Sequence, residues 1–236
     1  MKEERFFYQP EIGLGELTKE DTQHAVRVLR MKVGDELWLM DGNGTLFRAE
    51  ITISSNHRCA YRILEEIVQS RSWSGHLHLA LAPTKLNDRV EWFAEKATEI
   101  GFDELSFLDC EFSERRTIKT ERIEKIVVSA MKQSRKAWKP IVNEMENFCQ
   151  FVTRPIVGGK YICHCYEGEK PYLFDVLKQG EDSTVLIGPE GDFSVDEMRM
   201  AEEHGFCAVS LGNSRLRTET AALVAVHLMQ IKNQII

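Results

Sequence analysis

The sequence predicts an α/β protein in two parts: a small β-barrel domain over residues 1–70 and a parallel α/β domain over residues 71–236. Three observations carry this. Strand-like runs crowd the first part around a hairpin signal, "DGNG" from Asp41 to Gly44. Strands and helices then alternate to the end of the chain. Glycine-bearing loops follow the last two strand-like runs. With 236 residues, 43 % of them hydrophobic, the chain can bury one large core or two modest ones.

In the first part, "DELWLM" and "TLFRAEITI" flank the hairpin signal, where Asn and Gly accept positive φ. "CAYRIL" is another strand, and "KEDTQHAVRVL" is the one helix. A short polar join, "VQSRSWSGH", follows. "HLHLALA" is then a strand, and "DRVEWFAEKATEIG" carries Val90, Phe93, Ala94 and Ala97 at helical spacing with Gly101 as its stop. "ELSFL" is a strand, and "RIEKIVVSAM" places Ile123, Ile126, Val127, Ala130 and Met131 on one helical face. "KYICHC", "STVLI" and "CAVSL" are strands, each followed by a helix: "PYLFDVLKQ", "SVDEMRMAEEHG" and "TETAALVAVHLMQIKN". Ser194 with Glu197 forms a capping box, and Gly205 suits the helix exit. Successive strand-helix units imply a largely parallel sheet with helices on both faces. The last helix is apolar on nearly every side from Ala221 to Val226, which asks for cover all round; a second subunit or the chain itself can supply it.

The opening "MKEERFFYQP" is charged from its second residue and lacks a signal-peptide pattern. The longest apolar stretch, Ala221 to Met229, is far short of the roughly 20 residues that span a bilayer. The six cysteines show no CxxC spacing, and "ICHC" has no second ligand pair, so no metal is expected and the expected setting is a reduced cytoplasm. A net charge of −7 excludes a uniformly basic nucleic-acid surface. Two stretches run against it. "SAMKQSRKAWKP" holds Lys132, Arg135, Lys136 and Lys139 with no acid, and "AVRVLRMK" holds Arg27, Arg30 and Lys32. Each fits a phosphate backbone or a solvated helix face.

In an open parallel sheet, ligands sit beyond the carboxyl ends of the strands. "GPEG" (Gly188 to Gly191) ends one strand, and "LGN" (Leu211, Gly212, Asn213) ends the next. Glycine lets backbone approach a flat ligand, although it also simply forms turns. The usual signatures are missing: no GxGxxG follows a strand, and there is no GxxxxGK[ST], HExxH or GxSxG.

"LIGPEGDFSVDEM" followed by "SLGNSRLRTETAA" resembles the RsmE family of 16S ribosomal RNA methyltransferases, which methylate N3 of a uridine. "HAVRVLRMKVGD", "KATEIG" and "KQSRKAWKP" resemble further family stretches, so the likeness covers the whole chain. It implies a SPOUT-type trefoil-knotted parallel sheet, a PUA-like β-barrel before it, a homodimer, and S-adenosyl-L-methionine in the glycine loops. The implied cofactor contacts are Gly188, Pro189, Glu190 and Gly191 in one loop, Leu211, Gly212, Asn213 and Leu216 in the other, and Cys165. The implied RNA contacts are His24, Arg27, Arg30, Lys132, Gln133, Arg135 and Lys136, toward 16S rRNA or the assembled small ribosomal subunit. Four positions depart from the family: Asp192 replaces the last glycine of GPEGG, Ser214 and Arg215 replace an arginine and an aliphatic residue, and Lys136 replaces an arginine.

The chemistry agrees with this resemblance. Uracil N3–H is a weak acid whose proton must leave, so a fixed cation near the developing charge supplies catalysis. Arg217 is the candidate cation, with Glu190 or Glu219 as proton acceptor or sulfonium counter-charge. An Arg217–Glu219 ion pair of purely structural purpose is the competing assignment. A catalytically silent RNA-binding protein of the same fold, or a methyltransferase for another RNA base, remains the alternative function.

Overall fold

The computed structural model describes residues 4–234. The chain divides into two compact units, one of residues 1–71 with 128–139, the other of residues 72–127 with 140–236. The expected boundary at residue 70 assigned 128–139 to the second part, whereas that segment clusters with the first. The termini of both expected ranges, residues 1–3, 235 and 236, lie outside the described residues.

The first unit is built on β1 (Phe6–Tyr8), β2 (Glu36–Met40), β3 (Thr45–Ser54) and β4 (Cys59–Val68), in the sheet order β1-β2-β3-β4. β1 runs parallel to β2 and the other pairs are antiparallel, with β2 and β3 joined by the DGNG hairpin. An antiparallel bridge from Glu16 to Ala60 extends the sheet beyond β4. The expected helix begins as α1 (Lys19–Gln23), capped by Thr18, and continues as one π-helical turn over His24–Val28. Phe7, Leu37, Leu39, Ala49 and Ile51 form its buried core. Residues 137–139 belong here because they pair with the hairpin. Gly44 N–H donates to Ala137 O (3.0 Å), and Lys139 N–H donates to Gly42 O (2.9 Å). Gly44 must be glycine, since a Cβ there would lie 2.2 Å from the Trp138 ring.

The second unit holds six parallel strands in the order β10-β8-β9-β5-β6-β7. They are β5 (Leu77–Leu81), β6 (Glu104–Asp109), β7 (Ile141–Asn147), β8 (Gly159–Cys163), β9 (Ser183–Ile187) and β10 (Cys207–Val209). The central strands β5 and β9 are buried at every position, so they read as continuous apolar runs. Alternation along β5 feeds two cores. Leu77, Leu79 and Leu81 pack with α2 (Asn87–Ile100), the start of α3 (Thr120–Ser134) and α7 (Thr218–Gln234), through Val90, Phe93, Ile123, Val226 and Met229. Ala80 and Ala82 pack on the other face with α4 (Phe148–Thr153) and α6 (Val195–Glu203), through Phe148, Phe151 and Ala201. Helices on both faces therefore cover a parallel sheet, as expected.

Local signals account for the ends of the helices. Ser194 and Glu197 form the capping box of α6, and Gly205 leaves it at φ +84°. One expectation fails. "PYLFDVLKQ" gives only α5, one turn over Leu173–Val176: the backbone is extended at Leu177 (ψ +139°), and the Tyr161 hydroxyl donates to the Val176 carbonyl (3.1 Å). Thr218 is the first residue of α7, and the carbonyl of Arg217 accepts the first helical bond, from Ala221 (2.8 Å). Within this chain α7 is not buried all round: Ala222, Ala225, Val226 and Met229 are fully buried, while Leu223 and Val224 are half-buried and His227 is exposed.

Where the first strands of the sheet begin, a polar cluster lies within it. His76 Nε2 lies 2.8 Å from Glu104 Oε2, Asn143 Nδ2 donates to Glu104 Oε1 (2.6 Å), and His78 Nε2 meets Ser106 Oγ (2.9 Å). Burial pushes the His78 pKa down to about 4, with Arg154 and His76 adding to the shift and Glu104 opposing it. The hydrogen bond from His76 draws Glu104 down to about 2, and the same bond raises His76. The linkage signs follow. The share of stability from His76 is complete below its ordinary 6.5 and is lost as pH rises through the raised value. The share from Glu104 is complete above 4.5 and is lost as pH falls toward 2. Between pH 6.5 and 4, the unfolded chain protonates His78 and the folded chain does not, so stability falls as pH falls. Urea titrations at pH 6.5 and 4.5 should show His78→Gln removing about 2–3 kcal/mol of the acid-induced loss. An unchanged loss would assign the acid sensitivity to other groups.

Candidate active site at the carboxyl edge of the sheet

Neighbouring strands β10, β8 and β9 run parallel, so their three exits meet at one edge of the sheet. They enclose a cleft of about 1100 Å³ within the second unit. The exit of β9 is a turn closed by Asp192 N–H donating to Pro189 O (3.0 Å). The exit of β10 is fixed by Ser210 Oγ, which accepts the Gly212 N–H (3.2 Å), and by the Tyr172 hydroxyl on Asn213 Oδ1 (3.0 Å). The exit of β8 is folded by Lys170 Nζ, which donates to the carbonyls of His164 (3.2 Å) and Tyr166.

All the expected cofactor positions line this cleft: Gly188, Pro189, Glu190 and Gly191; Leu211, Gly212, Asn213 and Leu216; and Cys165. The glycines divide into two kinds, which the sequence reading did not separate. A Cβ on Gly188 would lie 3.1 Å from the Phe193 ring, and one on Gly191 would lie 3.0 Å from Phe112 Cβ. These two serve close packing within the protein. Gly212 has φ +128° and no atom within 4 Å of its Cβ position, so it opens on the cleft.

The expected catalytic residues also line the cleft, in different circumstances. Glu219 is buried in the first turn of α7 and pairs with Arg89 (2.9 Å), not with Arg217. Arg217 is exposed and, among the described residues, has no side-chain hydrogen bond or ion pair. Arg215 likewise has no ion pair among them. Glu190 accepts the Lys85 N–H (2.9 Å), tying its turn to the segment after β5. Burial raises the pKa of the Cys163 thiol, and of the Cys165 thiol to a lesser degree, with Asp192 adding to both, so both stand as neutral thiols. Burial, then Lys170, lowers His164. Among the described residues no group of three His, Cys, Asp or Glu side chains could hold a metal ion.

The sequence reading missed Arg89, Lys170 and Tyr172. Arg89 had a readable signal: a cation in the first turn of a helix opposes the dipole, which implies a nearby acid.

The expected RNA residues lie in the first unit. His24 and Arg27 occupy the π-helical turn, and Arg30 follows it in the left-handed region (φ +54°). Lys132 and Gln133 end α3, and Arg135 follows with φ +57°, beside Lys136. Lys132 approaches Asp21 of α1 (3.9 Å), so segments far apart in sequence meet here. Arg135 pairs with Glu4 (2.7 Å), whereas Arg27 and Arg30 have no ion pair among the described residues.

A family model described as an RNA methyltransferase domain matches residues 71–230, and one described as an RNA methyltransferase PUA domain matches residues 17–64. A ribosomal RNA small subunit methyltransferase E from Synechocystis is 31 % identical over 219 residues, covering 89 % of this chain and 70 % of that relative. The crystal structure of a probable rRNA-methyltransferase from Porphyromonas gingivalis is similar with a TM-score of 0.92 at 40 % identity, covering 97 % of this chain and 98 % of that one. A ribosomal RNA small subunit methyltransferase E from Neisseria gonorrhoeae, bound to S-adenosyl methionine, is similar with a TM-score of 0.86 at 27 % identity, covering 97 % of this chain and 98 % of that one.

The Arg89–Glu219 pair is testable without any ligand. Glu219 is only 10 % exposed and Arg89 is 34 % exposed, so removing the cation strands a mostly buried charge. Arg89→Met should cost about 2 kcal/mol in urea unfolding, after allowance for solvent at the arginine. Adding Glu219→Gln should recover most of it, giving a coupling energy above about 1 kcal/mol. Additive losses would show that the pair contributes nothing.

Proposed function

The chain belongs to the ribosomal RNA small subunit methyltransferase E family of RNA methyltransferases, and from that premise we propose that its cleft holds S-adenosylmethionine and that it methylates N3 of one uridine in 16S ribosomal RNA. The observation that carries this reading is the meeting of three strand exits around Gly212, whose side-chain position is open to the cleft. The residues present fit the cofactor. Backbone at Leu211 and Asn213 is available to a flat adenine, Gly212 admits it by carrying no side chain, and Leu216 and Ala221 offer apolar wall. Glu190 and Asp192 bring negative charge toward a sulfonium. When bound, S-adenosylmethionine supplies an electrophilic methyl group.

The other roles fall to side chains of this chain. Arg217 is the cation for the uracil anion: it is exposed in the cleft, uncommitted, and directly before α7. Its guanidinium stays protonated, so it stabilises negative charge and does not remove the proton. Glu219 is committed to Arg89, and Glu190 has one oxygen on Lys85 N–H, which leaves Glu190 the freer proton acceptor of the two. His24, Arg27, Arg30, Lys132, Gln133, Arg135 and Lys136 grip the RNA, and the unpaired Arg27 and Arg30 are the natural phosphate contacts.

We include a homodimer and the family's knot in the proposal. The half-buried Leu223 and Val224 beside exposed His227 give α7 an apolar strip that a second copy would cover. The workplace proposed is the cytoplasm, with the small ribosomal subunit; among the described residues no helix is long and apolar enough to cross a membrane.

Small subunits lacking this modification, incubated with the protein and methyl-labelled S-adenosylmethionine, should gain label at N3 of a single uridine. Arg217→Ala should slow single-turnover transfer on the order of a hundredfold while cofactor affinity changes little. Arg217→Lys should restore part of the rate, since a point charge replaces a planar fork. Label on another base would reassign the substrate, and a full-rate alanine variant would remove Arg217 from the chemistry.

A further inference from the structure

Asp192 holds a left-handed backbone (φ +67°) that glycine adopts freely and an aspartate does not. Its side chain gives a reason for keeping it. The ladder between β8 and β9 ends at Cys163 and Ile187. There the two carboxylate oxygens of Asp192 take different partners. Oδ2 accepts the N–H of Cys165, 27 residues away, at 2.7 Å. Oδ1 accepts the N–H of Phe193 at 2.8 Å. One residue further, the Tyr166 hydroxyl donates to the Phe193 carbonyl at 2.9 Å. Cys165, Tyr166 and Asp192 all line the cleft.

We propose that Asp192 is a positioning residue: its carboxylate clamps the exit of β8 to the exit of β9 beyond their ladder, and so presets two walls of the cleft before the cofactor arrives. This rests on the reading of the cleft as the S-adenosylmethionine site. Hydrogen bonds from backbone N–H to a carboxylate are stronger than neutral ones, so the clamp holds loops that share no ladder. A wall already in its bound shape binds more tightly because less ordering remains to be done.

The competing assignment, a residue that merely forms the turn, makes the opposite ranking. Left-handed backbone favours glycine, then asparagine, then aspartate. The clamp favours aspartate, then asparagine with one acceptor oxygen, then glycine with none. Three full-length proteins separate them: the parent, Asp192→Asn and Asp192→Gly. In the absence of ligand, the Cys165 amide should exchange at least about tenfold faster in Asp192→Gly than in the parent. By calorimetry, Asp192→Gly should bind S-adenosylmethionine about tenfold more weakly than the parent, with Asp192→Asn between them. The melting temperature of Asp192→Gly should stay near the parent's, because relief of the left-handed backbone offsets the lost hydrogen bonds. In methyl transfer, KM for S-adenosylmethionine should rise more than kcat falls. Equal exchange and equal affinity in the parent and Asp192→Gly would overturn the clamp. So would weaker binding that only tracks a lowered melting temperature. A parent that fails to bind S-adenosylmethionine would reject the reading of the cleft instead, while the Cys165 exchange rate would still report on the clamp.

Discussion

The parallel pairing of β8 with both β9 and β10 is the constraint on which the site depends. Parallel strands bring like ends together, so three exits that lie far apart in sequence become three walls of one cleft. The pairing is held from below by two cores, with Leu79 and Val185 on one face and Leu186 and Ala80 on the other. Beyond the ladder, side chains take over from the backbone. Asp192, Tyr166, Tyr172 and Lys170 each stitch one exit to its surroundings. Loops fixed in this way can offer backbone to a ligand without first paying the entropy of ordering.

Charge in the cleft is sorted by commitment. Arg89 and Glu219 neutralise each other at the start of α7, where a lone buried carboxylate would be costly. Arg217, two residues before Glu219, has no such partner among the described residues. The pair therefore does more than stabilise the helix start: it engages Glu219, the acid nearest to Arg217 in the sequence, while the Arg217 guanidinium stays exposed in the cleft. In the first unit the same sorting applies to the basic face, where Arg135 is engaged by Glu4 while Arg27 and Arg30 are not.

Much of this was legible in the sequence, for physical reasons. Strands such as "STVLI" and "HLHLALA" are buried on both faces, and their apolar runs say so. The capping box at Ser194 and Glu197 is a local signal, and it marks the start of α6. β7 and α4 were not read, because β7 is an edge strand whose "IVNEMEN" pattern is half polar and α4 is less than two turns long. The two glycine loops of the cleft were legible because strand exits in a parallel sheet converge, whereas Cys165 and Leu216 came only with the family resemblance. The partners were not. That Glu219 meets Arg89, that Asp192 reaches Cys165, and that residues 137–139 pair with the DGNG hairpin are long-range facts of packing. Local sequence carries little of that information. The packing role of Gly188 and Gly191 was not legible for the same reason, since the side chains they accommodate, Phe193 and Phe112, are identified only by the fold.

The central claim is that three strand exits together hold the cofactor through their backbones. Hydrogen–deuterium exchange of the full chain, measured with and without saturating S-adenosylmethionine, tests it directly. The account predicts that residues 188–192 and 211–217 gain protection together, with a smaller gain at 163–166, while α4 is unchanged. Protection confined to a single exit, or appearing only away from the cleft, would contradict it.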